Sequence, residues 1–196
     1  MSEKNILHSD ANEDVLRSKS LQVNDKSDRG KDLKVAPFKK EIRKTLPHKH
    51  HNYFEIIFLS AGKGIHTIDS QSFEIKPPTL FVIRKEQVHH WELESEPDGF
   101  VLILKKSFVD NSVDKDLKNL LSRVSALSCM LLQQNDAIAQ LFTMLVKENE
   151  AALNTNNAIV EGLLKALLGK ILQLALPAEK PVGRSSNLYL QFRDLL

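Results

Sequence analysis

Between Pro37 and Leu104 the apolar residues fall in short runs broken by Gly, Pro and Asp, and many of them alternate with polar neighbours. That period of two predicts strands at Phe38–Arg43, Tyr53–Leu59, Ile65–Asp69, Phe73–Lys76, Leu80–Ile83, His89–Glu94 and Phe100–Leu104. So many short strands in so few residues suggest a sandwich or barrel. The turns have mechanisms. Ala61-Gly62-Lys63-Gly64 supplies two glycines where positive φ is needed and reads as a hairpin; Asp69-Ser70-Gln71-Ser72 and Pro97-Asp98-Gly99 read similarly. Pro77-Pro78 cannot donate to a ladder and should separate two strands.

After Lys106 the period lengthens to 3.6 and strand formers give way to Leu and Ala, predicting three or four helices. One is capped by Asn135, buries Ile138, Leu141, Phe142 and Leu145, and ends near Asn149. The next is capped around Thr155 to Asn157 and runs to Pro177 with an apolar arc broader than one face. Gly162, Ala166 and Gly169 fall on one side of it, where small residues let another helix approach closely. Two readings stand: this side meets a second subunit, or the whole helix is buried in its own domain. A last amphipathic helix, capped at Ser185 or Ser186, carries Leu188, Tyr189, Phe192, Leu195 and Leu196.

Composition divides the chain further. Residues 1–35 hold seven basic, seven acidic and no aromatic side chains, and read as a mobile polar leader. Residues 36–105 form the expected β domain, 106–177 the helical region, and 178–196 a linker and the start of a C-terminal helix. The net charge of +2 is spread evenly, without the basic stripe that grips nucleic acid. One cysteine, Cys129, excludes an internal disulfide; its Leu-rich surroundings read as helical and make it a buried apolar residue. The first thirty residues lack the apolar core of a secretory signal, and Glu161, Lys165 and Lys170 interrupt the most apolar stretch. The expectation is a cytoplasmic protein that does not enter a membrane.

Candidate chemistry concentrates in two places, Pro47-His48-Lys49-His50-His51-Asn52-Tyr53-Phe54-Glu55 and Gln87-Val88-His89-His90-Trp91. On a strand His48 and His50 share a face, whereas Glu55 needs a bend near His51 and Asn52 to join them. With His89 the set is three imidazoles and one carboxylate, a ligand mix that suits Fe, Ni, Mn, Cu or Zn. The bland reading is that these residues line a pocket or hydrogen-bond strand ends. His51 and His90 alternate outward, to solvent. Arg84-Lys85-Glu86 reads as an exposed loop, and Trp91 as a ligand-stacking, core or rim residue. No phosphate loop, nucleophile elbow or Cys-x-x-Cys pair occurs.

The spacing His48-x-His50, four residues, Glu55, six residues, Gly62 resembles the first cupin motif without its leading glycine; of the second motif only His89 survives. A wider resemblance runs from Leu46 to Leu104 through Tyr53-Phe54-Glu55-Ile56, Gly62-x-Gly64, His66-x-Ile68-Asp69, Gln87-Val88-His89-x-Trp91 and Gly99-Phe100-Val101-Leu102. This run is similar to the N-terminal sensor domain of AraC-type transcriptional regulators, and Asn187-Leu188-Tyr189-Leu190-Gln191-Phe192 resembles the lead into their DNA-binding domain. The resemblance implies an α+β fold, a cupin-type jelly-roll β-barrel followed by an antiparallel helical dimerisation region. It implies a non-enzymatic effector-sensing module with His48, His50, Glu55, His66, His89 and Trp91 around a small-molecule effector. It further implies a homodimer through Gly162, Ala166 and Gly169. No cofactor is required, although His48, His50, Glu55 and His89 could take a divalent transition metal. Nucleic acid would be met only through a helix-turn-helix domain missing from this chain. The alternative is a metal-dependent cupin enzyme, a dioxygenase or isomerase, using the three-His, one-Glu site.

Overall fold

In the computed structural model, which describes residues 22–23, 32–132, 136–151 and 157–176, eleven strands and four helices follow one another in the described chain. The strands are β1 (Gln22–Val23), β2 (Leu33–Pro37), β3 (His48–Lys49), β4 (Tyr53–Ala61), β5 (Gly64–Ile68), β6 (Gln71–Glu74), β7 (Thr79–Ile83), β8 (His89–Leu93), β9 (Asp98–Lys105), β10 (Cys129–Leu132) and β11 (Ala175–Leu176). The helices are α1 (Lys106–Asn111), α2 (Lys115–Ser125), α3 (Asp136–Glu150) and α4 (Asn157–Leu174). One sheet has the order β1-β3-β8-β5-β6 and the other β11-β10-β7-β4-β9-β2. The fold is α+β, with sheets that are antiparallel apart from the parallel edge pair β1–β3, joined to helices.

The six-stranded sheet is buried on both faces, and its strand alternation divides two cores. Ile56, Phe58, Leu80, Val82, Leu102 and Leu104 pack with apolar residues of all the longer helices. Their neighbours Ile57, Leu59, Phe81 and Ile83 pack with Ile68, Trp91 and Leu93 of the other sheet. A period of two therefore sends one set of side chains to the helices and the next to the inter-sheet space. Phe142 of α3 is the central helical anchor, with its ring parallel to Phe58 at 5.9 Å and to Phe100 at 5.3 Å. Truncating such a ring to alanine costs about 3–5 kcal/mol.

Several expectations are corrected. Phe38–Arg43 is not a strand: the strand precedes it, as β2 on β9 from Leu33, inside the stretch read as leader. The Gly62 and Gly99 turns are not hairpins, because β4 and β9 lie in one sheet while β5 and β8 lie in the other, so each turn carries the chain between sheets. Glycine is required there all the same, by positive φ as expected and by close backbone approach. At Gly64 (φ 137°) and Gly99 (φ 148°) a Cβ would stand 2.2 Å from the Glu92 carbonyl oxygen and 1.9 Å from that of Phe58. Asp69–Ser72 does close a hairpin, β5 to β6, and Pro77-Pro78 separates β6 from β7. Cys129 is buried as expected but sits on β10, paired with Phe81 of β7, and not in a helix.

In α4 the broad apolar arc is divided by burial. Val160, Leu164, Leu167, Leu168 and Ile171 are buried, while Gly162 and Ala166 are exposed. A Cβ added at Gly162 or Gly169 would meet nothing within 4 Å. Among the described residues, nothing covers this side of the helix. No helix of the described residues is long and apolar enough to cross a membrane. Residues 1–21 and 24–31 of the leader, the Asn135 cap, the Thr155 cap, and the linker and helix expected from residue 178 onward lie outside the described residues.

Candidate functional site

The bend needed to unite the histidines with Glu55 is present at His51 and Asn52, between β3 and β4. His48 pairs in register with His89 of β8, which brings the two sequence clusters side by side. His89 in turn opposes Ile68 on β5, and His66 opposes Trp91. Four histidines and Glu55 are consequently buried together: His48, His50, Glu55, His66 and His89 are each no more than 3 % exposed.

Hydrogen bonds fix the rings. His48 Nδ1 lies 2.8 Å from the Leu46 carbonyl oxygen. A carbonyl only accepts, so Nδ1 carries the proton, and in the neutral ring the Nε2 lone pair points the other way. From Tyr53 a chain of contacts crosses the cluster: Tyr53 Oη to His50 Nδ1 at 2.7 Å, His50 Nε2 to His89 Nε2 at 2.9 Å, and His89 Nδ1 to His66 Nε2 at 3.0 Å. Tyr53 also stacks on His50, with centroids 4.5 Å apart, and His66 lies flat on Trp91 at 3.5 Å. Such stacking sets the plane of each ring.

His48, His50 and His89 each offer a ring nitrogen, and these atoms all lie within 4.8 Å of one another. Glu55 Oε2 is 3.5 Å from His50 Nε2 and 3.8 Å from His89 Nε2. Donors bound at about 2.1 Å to one ion stand about 3 to 3.5 Å apart, a spacing the His50 and His89 Nε2 atoms already have at 2.9 Å and to which His48 would have to close. Neutral imidazoles and a carboxylate fit a divalent transition metal in kind as well. Three buried histidines could therefore hold a metal, with Glu55 beside them. Were one bound, His50 Nδ1–H would donate to Tyr53 and His89 Nδ1–H to His66, the usual support for ligating imidazoles.

A cavity of about 460 Å³ opens onto this cluster. Its walls include Phe38, Ile57, Trp91, Val101 and Ile103, its polar base is His48 and Glu55, and Lys34 and Lys39 also line it. Of the six residues expected around an effector, His48, Glu55 and Trp91 line the cavity, whereas His50, His66 and His89 stand behind them. Ile57 escapes a motif search, although it is two residues from Glu55 on one strand and must share its face. The same alternation carries Val101 and Ile103 on β9, and Tyr53 on β4. Phe38 follows β2 and gives no such signal; its ring meets Trp91 edge-on at 5.6 Å.

The remaining candidates are peripheral. His51 pairs with Glu86 at 2.7 Å on the surface, and Lys49 reaches the same carboxylate at 2.8 Å. These hydrogen bonds hold the Glu86 carboxyl down at about 2. His90 is partly exposed. Burial pushes the Cys129 thiol up to about 12, which makes it a poor nucleophile.

No curated protein matches the chain. Among solved structures, the AraC-like transcriptional activator CuxR is similar over 66% of this chain and 46% of its own, with 10% identity and a TM-score of 0.45. ToxT from Vibrio cholerae is similar over 72% of this chain and 55% of its own, with 12% identity and a TM-score of 0.38. A cupin protein from Bacteroides fragilis is similar over 42% and 68% respectively, with 21% identity and a TM-score of 0.32. The chain thus spans about half the length of the two regulators it resembles. The model of the AraC-like ligand binding domain matches residues 41–168, from the loop after β2 to the middle of α4, so this chain belongs to the AraC-like ligand-binding-domain family.

Proposed function

We propose that the chain is the effector-sensing and dimerisation module of an AraC-type transcriptional regulator, and not an enzyme. A small molecule binds in the cavity between the sheets, and its occupancy passes through the helices to a helix-turn-helix domain outside this sequence. The observation that carries this reading is a cavity of about 460 Å³, apolar on its walls and polar at its base, in a chain of that family. Its size lies in the range of small-molecule sites. His48, Glu55 and Trp91 contact the effector, and His50, His66 and His89 hold the polar base in place.

The route to the helices follows from strand alternation. Glu55 and Ile57 face the cavity, whereas Ile56 and Phe58 between and beyond them pack on the helical core. A shift of β4 on binding is felt on its other face within one residue. Residues Gly162, Ala166 and Gly169 of α4 then form the contact with a second copy.

The experiment uses Trp91, the single tryptophan of the chain. Its fluorescence reports the cavity without a label, so a panel of sugars, organic acids and aromatic metabolites can be titrated directly. The expected result is a saturable change for one chemical class, lost in His48→Ala. A panel that leaves Trp91 unmoved, together with no small molecule retained in native mass spectrometry, overturns the reading.

The convergence of His48, His50, His89 and Glu55 favours a second reading, a metal-dependent cupin enzyme of the dioxygenase or isomerase kind. Elemental analysis of chelator-free protein separates the two. One equivalent of a transition metal, with turnover of a bound substrate, supports the enzyme; a metal content far below one equivalent removes it. A bound metal without turnover leaves the sensor, with the ion as part of its effector site.

A further inference from the structure

A second cavity, of about 390 Å³, lies on the helical side of the six-stranded sheet, where α1 and α2 cover the ends of β4 and β9. Its interior is apolar, formed by Phe54, Leu104, Val109 and Leu121. Around these sit four cationic side chains, Arg84, Lys85, Lys106 and Lys118, against a single carboxylate, Asp110. Part of the rim is held in place by the protein itself. Arg84 donates to the Ser125 carbonyl at 2.9 Å, Lys106 pairs with Asp110 at 3.7 Å, and Lys118 Nζ donates to the Asp110 carbonyl at 3.4 Å.

We propose that this cavity is a second ligand site, for an amphipathic anion whose apolar body fills the interior and whose charged head meets the basic rim. An apolar floor favours burial of hydrocarbon, and several cations around its mouth favour an anionic head over a neutral one. A zwitterion or cation is disfavoured by the same charges. The site does not require the effector reading of the first cavity, and the two cavities share no lining residue. Tyr53 lines the second cavity, and its hydroxyl is 2.7 Å from His50 Nδ1 in the histidine cluster.

The test is calorimetric titration of the full chain with sodium octanoate, octyl phosphate, 1-octanol and sodium acetate. The expected result is one-to-one binding of octanoate or octyl phosphate, with octanol and acetate weaker by at least about tenfold. Whichever of the first two binds more tightly identifies the head group. The double variant Lys85→Glu, Lys106→Glu alters two exposed side chains and should weaken the anion by about tenfold or more while the circular dichroism spectrum is kept. Should that variant misfold, Ser122→Tyr, which adds bulk from an exposed position on the cavity lining, provides the same test. His48→Ala should leave the affinity unchanged. Equal binding of octanol and octanoate overturns the proposal, as does an unaltered affinity in the variants. Loss of binding in His48→Ala also overturns it, by assigning the anion to the first cavity.

Discussion

His89 is the hinge of the histidine cluster, since its Nε2 faces His50 and its Nδ1 faces His66. If a cation is held here, removal of a ligand and removal of a ligand's support should differ in degree. His89→Ala is expected to abolish measurable Ni2+ or Zn2+ binding, and His66→Phe, which keeps a ring over Trp91, to weaken it about tenfold. Competition against a chromogenic chelator measures both, and equal affinities in the two variants would reduce His66 to a packing residue. Cys129 gives a prediction of opposite kind. Its folded-state value near 12 stands above the ordinary 9.0, so the folded protein keeps a proton that the unfolded chain releases. The contribution is complete below about pH 9 and is lost as pH rises toward 12. Denaturant midpoints should therefore fall more steeply above about pH 9 in the parent than in Cys129→Ala, and parallel slopes would sink the assignment. The polar members of the site were legible in sequence because histidines at fixed spacing are rare enough to notice. Its apolar walls were legible only through alternation, and Phe38, in a loop beyond β2, was not legible at all.

α2 is tied down at its first turn by one side chain with two tasks. Asp114 Oδ1 accepts from the backbone N–H groups of Asp116 at 2.9 Å and Leu117 at 3.0 Å, and Oδ2 meets Lys165 of α4. Cap and ion pair should separate by substitution. Asp114→Ala loses both and is expected to lower the melting temperature by about 2–4 °C or more, whereas Asp114→Asn keeps a capping oxygen and loses less. Lys165→Met removes the ion pair alone. The Lys165 ammonium and the capping N–H groups hold the Asp114 carboxyl below its ordinary value, so this stabilisation is present above the usual carboxylate range and lost as pH falls beneath it. A scanning-calorimetry series in which Asp114→Asn and Asp114→Ala melt alike would refute the capping role. Elements also show where sequence reading stops. β10 reads Cys-Met-Leu-Leu, without a β-branched or aromatic residue, and its strand state comes from pairing with β7. The turns at Gly62 and Gly99 were legible as reversals, but turn chemistry does not say which sheet the next strand joins. Helix α3, with strong 3.6 periodicity, needed no such context.

Across the whole molecule the six-stranded sheet is the shared wall: the proposed effector cavity lies on one face, and the helices, including α4 with its uncovered small residues, lie on the other. Its two-faced burial follows from the near-continuous apolar runs of β4 and β7, which is how an interior strand reads in sequence. The uncovered stripe predicts a dimer at micromolar concentration, and the space beside it makes the test clean. Because nothing among the described residues lies within 4 Å of a Cβ at Gly162, the pair Gly162→Trp, Ala166→Trp is expected to be accommodated by the monomer while two helices can no longer approach. Sedimentation velocity should show a dimer for the parent and a folded monomer for the variant; a monomeric parent ends the dimer proposal. Linkage then makes a stricter demand. If effector occupancy changes the dimerisation constant by some factor, dimerisation must change effector affinity by the corresponding factor, since both follow from one coupling free energy. The effector affinity read from Trp91 should therefore differ between parent and variant by an amount fixed in advance by the effector's shift of the parent's dimer equilibrium. A shift in one quantity without the other would mean that the stripe and the cavity do not communicate through the sheet.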